Sequence, residues 1–515
     1  VTGLAPFESS IAERYHEETK YTEGGLQRDA LRFGPPDPAL RPSPFKQLDG
    51  PRVLLPTDGL PIQRTAGRPV RAPEHAPPGR VDLAKLARLM WLTNGCTRIE
   101  EHEWGVQHYR AAPSAGAMYP TEVYVAVRGM PGLSPGIYDY QILDHSLALV
   151  HAADASSALH GAAFGHPAVA MSEAVVILTG EWFRSSWRYR ERGGRRVLLD
   201  TGHVLGNLVE VAPIEGFEAV PIASFRDEVV EKLLGVEGAT EAPLVLAPLV
   251  PAARAAEVAR LPNRRSAVVE WRKAMEDVGD RTAEDSPERI IAALQLASRL
   301  AQAAEPVPPA ASASLDLGDA PVVDASSPPT AWDADESVAS TIVERRSTRA
   351  FRRAAVPRAA LFRALAHAYP ASPRHLLAPE LLETFLVAVD VDGLPSGSYA
   401  YETSPRRVVE RALGDYGPAL HHLGLGQDIF VDAAAVLIHA VDLTRAVARY
   451  GDRAYRLALL DAGHVGERLN LAALREGFGA SGCGGYFDDE VNRVLKIPES
   501  RAVVYVTVFG MPGVV

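Results

Sequence analysis

The chain has 515 residues, too many for one hydrophobic core, so two domains of ordinary size are expected. Its 53 basic and 64 acidic residues leave a net charge of −11, which argues against nucleic acid or an anionic membrane as partner, since both are bound through a basic face. Apolar residues make up 47%, with no run long enough for a transmembrane helix. No signal peptide is read at the start. The two cysteines, Cys96 and Cys483, fit no metal or disulfide framework. The expected location is a reducing cytoplasm.

In chain order, the first clear helix is "VDLAKLARLMWLTNG" (81–95), with apolar residues at three- and four-residue spacing. "RAAPSAGAMYP" (110–120) follows, rich in small residues, and then the strand "EVYVAVRG" (122–129). "PGLSPGIYDY" (131–140) alternates like a strand, and "EAVVILTG" (173–180) reads as another. A long helix then runs through "WRYRERGGRRVLLDTGHV" (187–204). The same order returns later. "VPRAALFRALAHAY" (356–369) is the helix, "ETFLVAVD" (383–390) and "AAAVLIHAV" (433–441) are strands, and "ARYGDRAYRLALLDAGHV" (448–465) is the long helix. Tyr138 and Tyr399, Tyr189 and Tyr450, and His203 and His464 are all 261 positions apart. A constant offset over so long a stretch means two copies of one domain, too large for a solenoid repeat. Helices and strands without regular βαβ alternation indicate an α+β domain with helices packed on a mixed sheet. The expected division is a first domain at 1–260, a helix plus linker at 261–336 and a second domain at 337–515. Within the middle piece, "ERIIAALQLASRLAQAA" (288–304) reads as an amphipathic helix. The Pro-, Ala- and Ser-rich 305–336 reads as a largely extended or disordered linker.

"RAAPSAGAMYPTEVYVAV", "GLSPGIYDY", "YRLALLDAGHV" and "IVERRSTRAF" (342–351), with "YHEETKY" near the start, resemble the SagB-type branch of the nitroreductase-like flavoproteins. That branch includes the thiazoline and oxazoline dehydrogenases that modify ribosomal peptides. The resemblance implies a dimer fused into one chain: two tandem nitroreductase-like domains forming an intramolecular pseudodimer, with FMN at the interface. It implies that Arg345, Arg346, Ser347 and Arg349 grip the FMN phosphate and ring edge. Pro113, Ser114, Ala115 and Gly116 of the other copy would lie along the ring. The turn Cys483-Gly484-Gly485 would present backbone amides to it, with the thiol itself expected to pack. Each feature is lost from the opposite copy. Arg374, His375, Leu376 and Leu377 stand at the offset of the small residues, "PIASF" (221–225) at that of the glycine turn, and "QRTAGRPVRAP" (63–73) is a poor match to the arginine motif. One composite site and one FMN per chain are therefore expected.

The branch carries a Lys-Tyr pair ahead of the long helix, implicated in proton removal. Here the pairs are Arg188-Tyr189 and Arg449-Tyr450. Arginine holds its proton too tightly to be an ordinary base. It can orient a carbonyl, and Tyr189 can pass a proton if the arginine lowers its pKa. Arg188 and Tyr189 are the expected catalytic pair, with Trp187 walling the pocket. Asp200, Asp461, His203 and His464 are expected to serve the fold, and no metal site is expected. The implied reaction is oxidation of an azoline to an azole in a peptide or peptide-like substrate, alongside other pathway enzymes. Two alternatives stay open: another flavin oxidase or NAD(P)H-dependent reductase of secondary metabolism, and an inactive scaffold in a peptide-modifying complex.

Overall fold

The computed structural model describes residues 9–57, 60, 63–64, 80–103, 105–283, 286–308, 320–330, 336–369 and 375–513. Residues 65–73 of the weak arginine-motif match and Arg374 lie outside them. The first sheet runs, edge to edge, through Arg52–Leu54, Ser146–His151, Gly136–Gln141, Thr121–Val127, Ala174–Glu181, Glu241–Pro251 and Phe217–Ala219. The second runs through Val322–Asp324, Arg406–Leu413, Gly397–Thr403, Glu383–Ala388, Ala435–Val441, Ala502–Pro512 and Phe351–Arg352, with Gly479–Cys483 also on Ala502–Pro512. Neighbours in both sheets are antiparallel. Among the described residues, parallel pairing is confined to two-residue ribbons, Val356–Pro357 with Val391–Asp392 and Gln63–Arg64 with Arg98–Ile99. The alternating tyrosines sit on Gly136–Gln141 and Gly397–Thr403, equivalent strands, and all four are buried.

Two long helices, Gly193–Val211 and Arg453–Arg475, occupy the middle of the molecule. They carry almost no exposed residue, and each packs on the other. A Cβ on Gly202 would overlap the Leu460 carbonyl and stand 2.8 Å from the Gly463 Cα. A Cβ on Gly463 would overlap the Leu199 carbonyl. Gly202 and Gly463, like Leu199 and Leu460, are 261 apart, so the contact is reciprocal, as across a two-fold axis. The largest apolar cluster draws on both halves: Leu199, Leu205 and Leu208 pack in the same core as Leu459, Leu460 and Tyr505.

Beside the crossing lie two matching buried ion clusters. Asp488 takes Arg192 at 2.7 Å, Arg195 at 2.9 Å and the Tyr21 amide at 2.8 Å. Asp227 takes Arg453 at 2.8 Å, Arg456 at 2.7 Å and the Leu300 amide at 3.1 Å. Burial works against both carboxylates, yet the paired arginines hold both below the usual range. The symmetry assigns a place to the helix Glu288–Ala297. The Ser298 carbonyl accepts from Arg453 as the Thr19 carbonyl, after the helix Ile11–Glu18, accepts from Arg192. This helix therefore packs as the second half's counterpart of Ile11–Glu18. The region read as a linker also holds an edge strand: Val322–Asp324 pairs with Arg407–Val409, as Arg52–Leu54 pairs with Ser146–Ala148. Low hydropathy concealed it because an edge strand buries little.

Gly463→Ala should destabilise the chain by roughly 1–3 kcal/mol or more, because the methyl group meets backbone rather than a movable side chain. Chemical denaturation checks this; an unchanged midpoint would show the crossing to be looser than drawn. Asp227→Asn or Asp488→Asn should cost about 3–5 kcal/mol by stranding two buried guanidinium groups. Both aspartates have depressed folded pKa values. Their stabilisation is present above the unfolded value near ~3.9 and is lost as pH falls through the folded value, so melting temperature should drop below about pH 4 and the Asn variants should show a flatter acid limb.

Candidate functional site

A cavity of 440 Å³ opens between the halves, beside the helix crossing. From the first half it takes Pro113–Gly116, Arg188, Tyr189, Arg196 and Asp200; from the second, Ser347, Arg349, Gln427 and the turn Gly482–Gly485. The sequence-expected faces are therefore brought together across the pseudo-twofold. Tyr21 and Leu26, from the segment after the first helix, close one side.

Asp200 shapes the small-residue loop. Its carboxylate accepts from the Ser114 hydroxyl at 2.6 Å and from the Ala115 amide at 3.2 Å. Asp461 does the same in the other half, accepting from the Leu377 and Ala378 amides at 2.8 and 2.7 Å. Burial raises both carboxyls to about 7. Since Asp461 faces no glycine turn and shows the same shift, the shift marks a shared loop clamp rather than a catalytic acid. Gly116 has φ +61, and a Cβ there would stand 2.6 Å from the Tyr189 hydroxyl and 3.0 Å from the Arg188 Cδ. The smallness of this loop thus makes room for Tyr189 and Arg188. Gly484 lies under Arg196, where a Cβ would overlap the guanidinium. The Cys483 thiol sits within the turn, near Gln427 and the Gly485 carbonyl, and is buried. Gly485 lines the cavity, with its amide directed to the Cys483 sulfur at 3.4 Å.

Three placements depart from expectation. Arg345 does not line the cavity. It is buried against the Ala111 carbonyl at 3.2 Å and paired with Glu467 at 3.4 Å, itself fully buried. Arg346 is also outside the cavity wall, over the Tyr109 ring, but its Nε and Nη2 are buried without a protein partner. Burial, with Arg345 and Arg98 nearby, brings its pKa down to about 10. Trp187 turns away altogether, donating to the Asp37 carbonyl at 2.9 Å.

Tyr189 contradicts the lowered pKa its neighbours suggested. Arg196 and Arg188 do pull it down, but burial outweighs them and raises it above the ordinary phenol value. It is a neutral hydrogen-bond donor near pH 7. Tyr450 leaves its cavity and donates to Glu380. His203 lines the wall as a neutral ring, donating from Nδ1 to the Leu199 carbonyl and accepting at Nε2 from Tyr505 at 3.0 Å; burial takes its pKa down to about 4. Tyr505, Gln427, Tyr21 and Arg196 were not singled out from sequence. The repeat carried a readable signal for Arg196 and Gln427, since it places Leu457 and His166 at their offsets, and Tyr21 closes the stretch "YHEETKY".

The mirror position holds a smaller cavity of 280 Å³. Phe164, His166, Ile222 and Ser224 stand there at the offsets of Leu425, Gln427, Cys483 and Gly485. Leu376 and Leu377 replace the small residues, and both are buried. The segment after the first domain also lines it, with Asn263 and Arg264 on its wall. Asn263 donates to the Leu377 carbonyl at 2.6 Å, and the Arg264 guanidinium lies 4.1 Å from the Phe164 ring centroid.

Two antiparallel sheets around a two-fold helix crossing, with a composite cavity between the halves, define a fused dimeric oxidoreductase fold. The chain belongs to the nitroreductase family, whose profile matches residues 77–249 and 342–511. A nitroreductase-type crystal structure from Anabaena variabilis superposes with a TM-score of 0.84 and 32% identity, over 98% of this chain and 100% of that one. The nitroreductase-like MJ1384 protein of Methanocaldococcus jannaschii is 32% identical over 141 residues, 27% of this chain and 70% of its own. The trifolitoxin-processing protein TfxB of Rhizobium leguminosarum is 34% identical over 25% of this chain and 37% of its own length. The microcin B17-processing protein McbC of Escherichia coli is 27% identical over 27% of this chain and 52% of its own.

Proposed function

We propose that this nitroreductase-family oxidoreductase is an FMN-dependent dehydrogenase acting on a peptide or peptide-like intermediate, in its most specific form oxidising an azoline to an azole. The observation that carries the reading is the 440 Å³ composite cavity, which joins Pro113–Gly116 and Tyr189 of one half to Ser347, Arg349 and Gly482–Gly485 of the other. The similarity to TfxB and McbC supports a peptide-like substrate.

The residues present fit FMN. The two unpartnered Arg346 nitrogens, with Ser347 and Arg349 beyond them, suit a phosphate. The small loop and the glycine turn leave an open face for a flat ring. When bound, FMN supplies two-electron redox chemistry. The protein's own groups orient and exclude. Arg188 lines the cavity and can hold a substrate carbonyl. Tyr189 holds its proton at Oη and donates it as a hydrogen bond. Tyr21 and Leu26 keep water from one side. A neutral Tyr189 also supports a second reading, an NAD(P)H-dependent reductase, in which the phenol delivers a proton to the reduced product. Anaerobic mixing with NADH or NADPH separates the two: bleaching of the flavin band favours the reductase.

Released flavin should measure one FMN per chain. Losing one charge-assisted bond to phosphate costs about 1.5–3 kcal/mol, so Arg346→Ala should give weakly flavinated protein. A ratio near ~2 would mean that the mirror cavity, with its buried leucines, binds as well, against the steric expectation. Tyr189→Phe should lower turnover roughly 100-fold while leaving flavin content unchanged. Tyr450→Phe should leave both unchanged, and the reverse pattern would assign the two faces the other way round.

A further inference from the structure

Arg196 is the unusual charge in the cavity. It is 5% exposed and lines the wall between Tyr189 and the glycine turn. Its neighbours Arg192, at the helix N-cap, and Arg195 share Asp488, and Arg453, Arg456, Arg345, Arg184 and Arg468 each have a carboxylate partner. Arg196 has no ion pair and no hydrogen bond among the described residues, and its buried Nε is unpartnered. Its contacts are a ring and a backbone: the Tyr189 centroid lies 5.0 Å from the guanidinium, and Gly484 presses against Nη1. Asp200 is the carboxyl nearest in the cavity, but Ser114 and Ala115 occupy it.

A buried cation without a counter-ion costs several kcal/mol, and a ring face recovers only part of that. The fold does not require the charge. The same position in the second half is Leu457, fully buried on the equivalent helix. Arginine therefore stands on the wall of the larger cavity, while Leu457 at the equivalent helix position does not line the mirror cavity. A guanidinium has only donors, five in a planar fork, and matches a carboxylate in two-point contact. It stands on the wall beside Tyr189, apart from the Arg346–Arg349 side assigned to phosphate.

We infer that Arg196 binds a carboxylate of the substrate, so that the molecule turned over presents a free carboxylate beside Tyr189 instead of being gripped only in mid-chain. This rests on the oxidoreductase reading of the cavity and narrows its substrate class to acids, such as a peptide ending at its own C-terminal residue. Arg188, exposed and 5.8 Å from the Tyr189 ring centroid, can hold a second oxygen of the same molecule.

The test uses the full chain with N-acetyl-L-phenylalanine as probe and its neutral amide as control, read by thermal melting, with released flavin measured separately. The acid should stabilise the wild type and the amide should not. Arg196→Leu, copying Leu457, should melt no lower than wild type without probe, keep its flavin, and bind the acid at least roughly tenfold more weakly. Arg196→Lys should keep part of the response. No acid-specific stabilisation of the wild type, or an equal one in Arg196→Leu, overturns the inference. Loss of flavin from a folded Arg196→Leu overturns it too, making the arginine a cofactor ligand. If Arg196→Leu fails to fold, an Arg196→Lys that folds and binds acid and amide alike also overturns it. A wild type without flavin defeats the FMN reading, while the acid-dependent melting still reports on Arg196.

Discussion

Everything in this molecule is arranged around the place where two helices touch without side chains. Gly202 and Gly463 let the backbones of Gly193–Val211 and Arg453–Arg475 meet carbonyl to Cα. A contact that close fixes both the distance and the rotation between the halves. It therefore fixes which loop of one half faces which turn of the other. The small loop Pro113–Gly116 can meet Gly482–Gly485 only because this crossing holds their two sheets in register. The ion clusters at Asp227 and Asp488 repeat the constraint on either side. A buried charge cluster gives little net stability but tolerates few alternative arrangements, so it specifies the pairing more than it strengthens it.

Fusion changes what symmetry requires. In a dimer of identical chains, one substitution alters both interfacial sites. In a fused chain each copy varies alone. The positions that have stayed equivalent are those that build the interface: the two glycines, the two clamp aspartates, and both sets of arginines with their acidic partners. Several positions that have diverged line the larger cavity. Leucines stand for small residues, Ile222 for Cys483, Leu457 for Arg196. Asn263 and Arg264 pack onto the wall of the mirror cavity, a change the fold absorbs, whereas loss of either aspartate would strand two buried arginines.

The repeat, the long helices, the main strands and the pairing of the two site faces were legible because each leaves a local pattern in the chain. The edge strand Val322–Asp324 was not, because its pairing rests on a partner far along the sequence and little of it is buried. Nor was the direction of Arg345. The arginine motif is visible in sequence, but Arg345 turns inward to a fully buried Glu467, which stands where the first half has Gly206. The Tyr189 pKa shows the same limit. Neighbouring arginines can be read from the chain, while the burial that outweighs them is a property of the assembled interface.

The helix that makes the crossing also sorts three neighbouring arginines by angle alone. Arg192 and Arg195 are three residues apart, so they share a face, and that face meets Asp488. Arg196 is one residue further, about 100° around the helix, and lands in the cavity. One turn of helix thus carries two charges that lock the halves together and a third left without a counter-ion. The equivalent turn in the other half keeps the first two, as Arg453 and Arg456, and replaces the third with leucine. The locking charges follow from the fold, since both copies need them. The third follows from the cavity, since Arg196 lines one and its counterpart Leu457 does not.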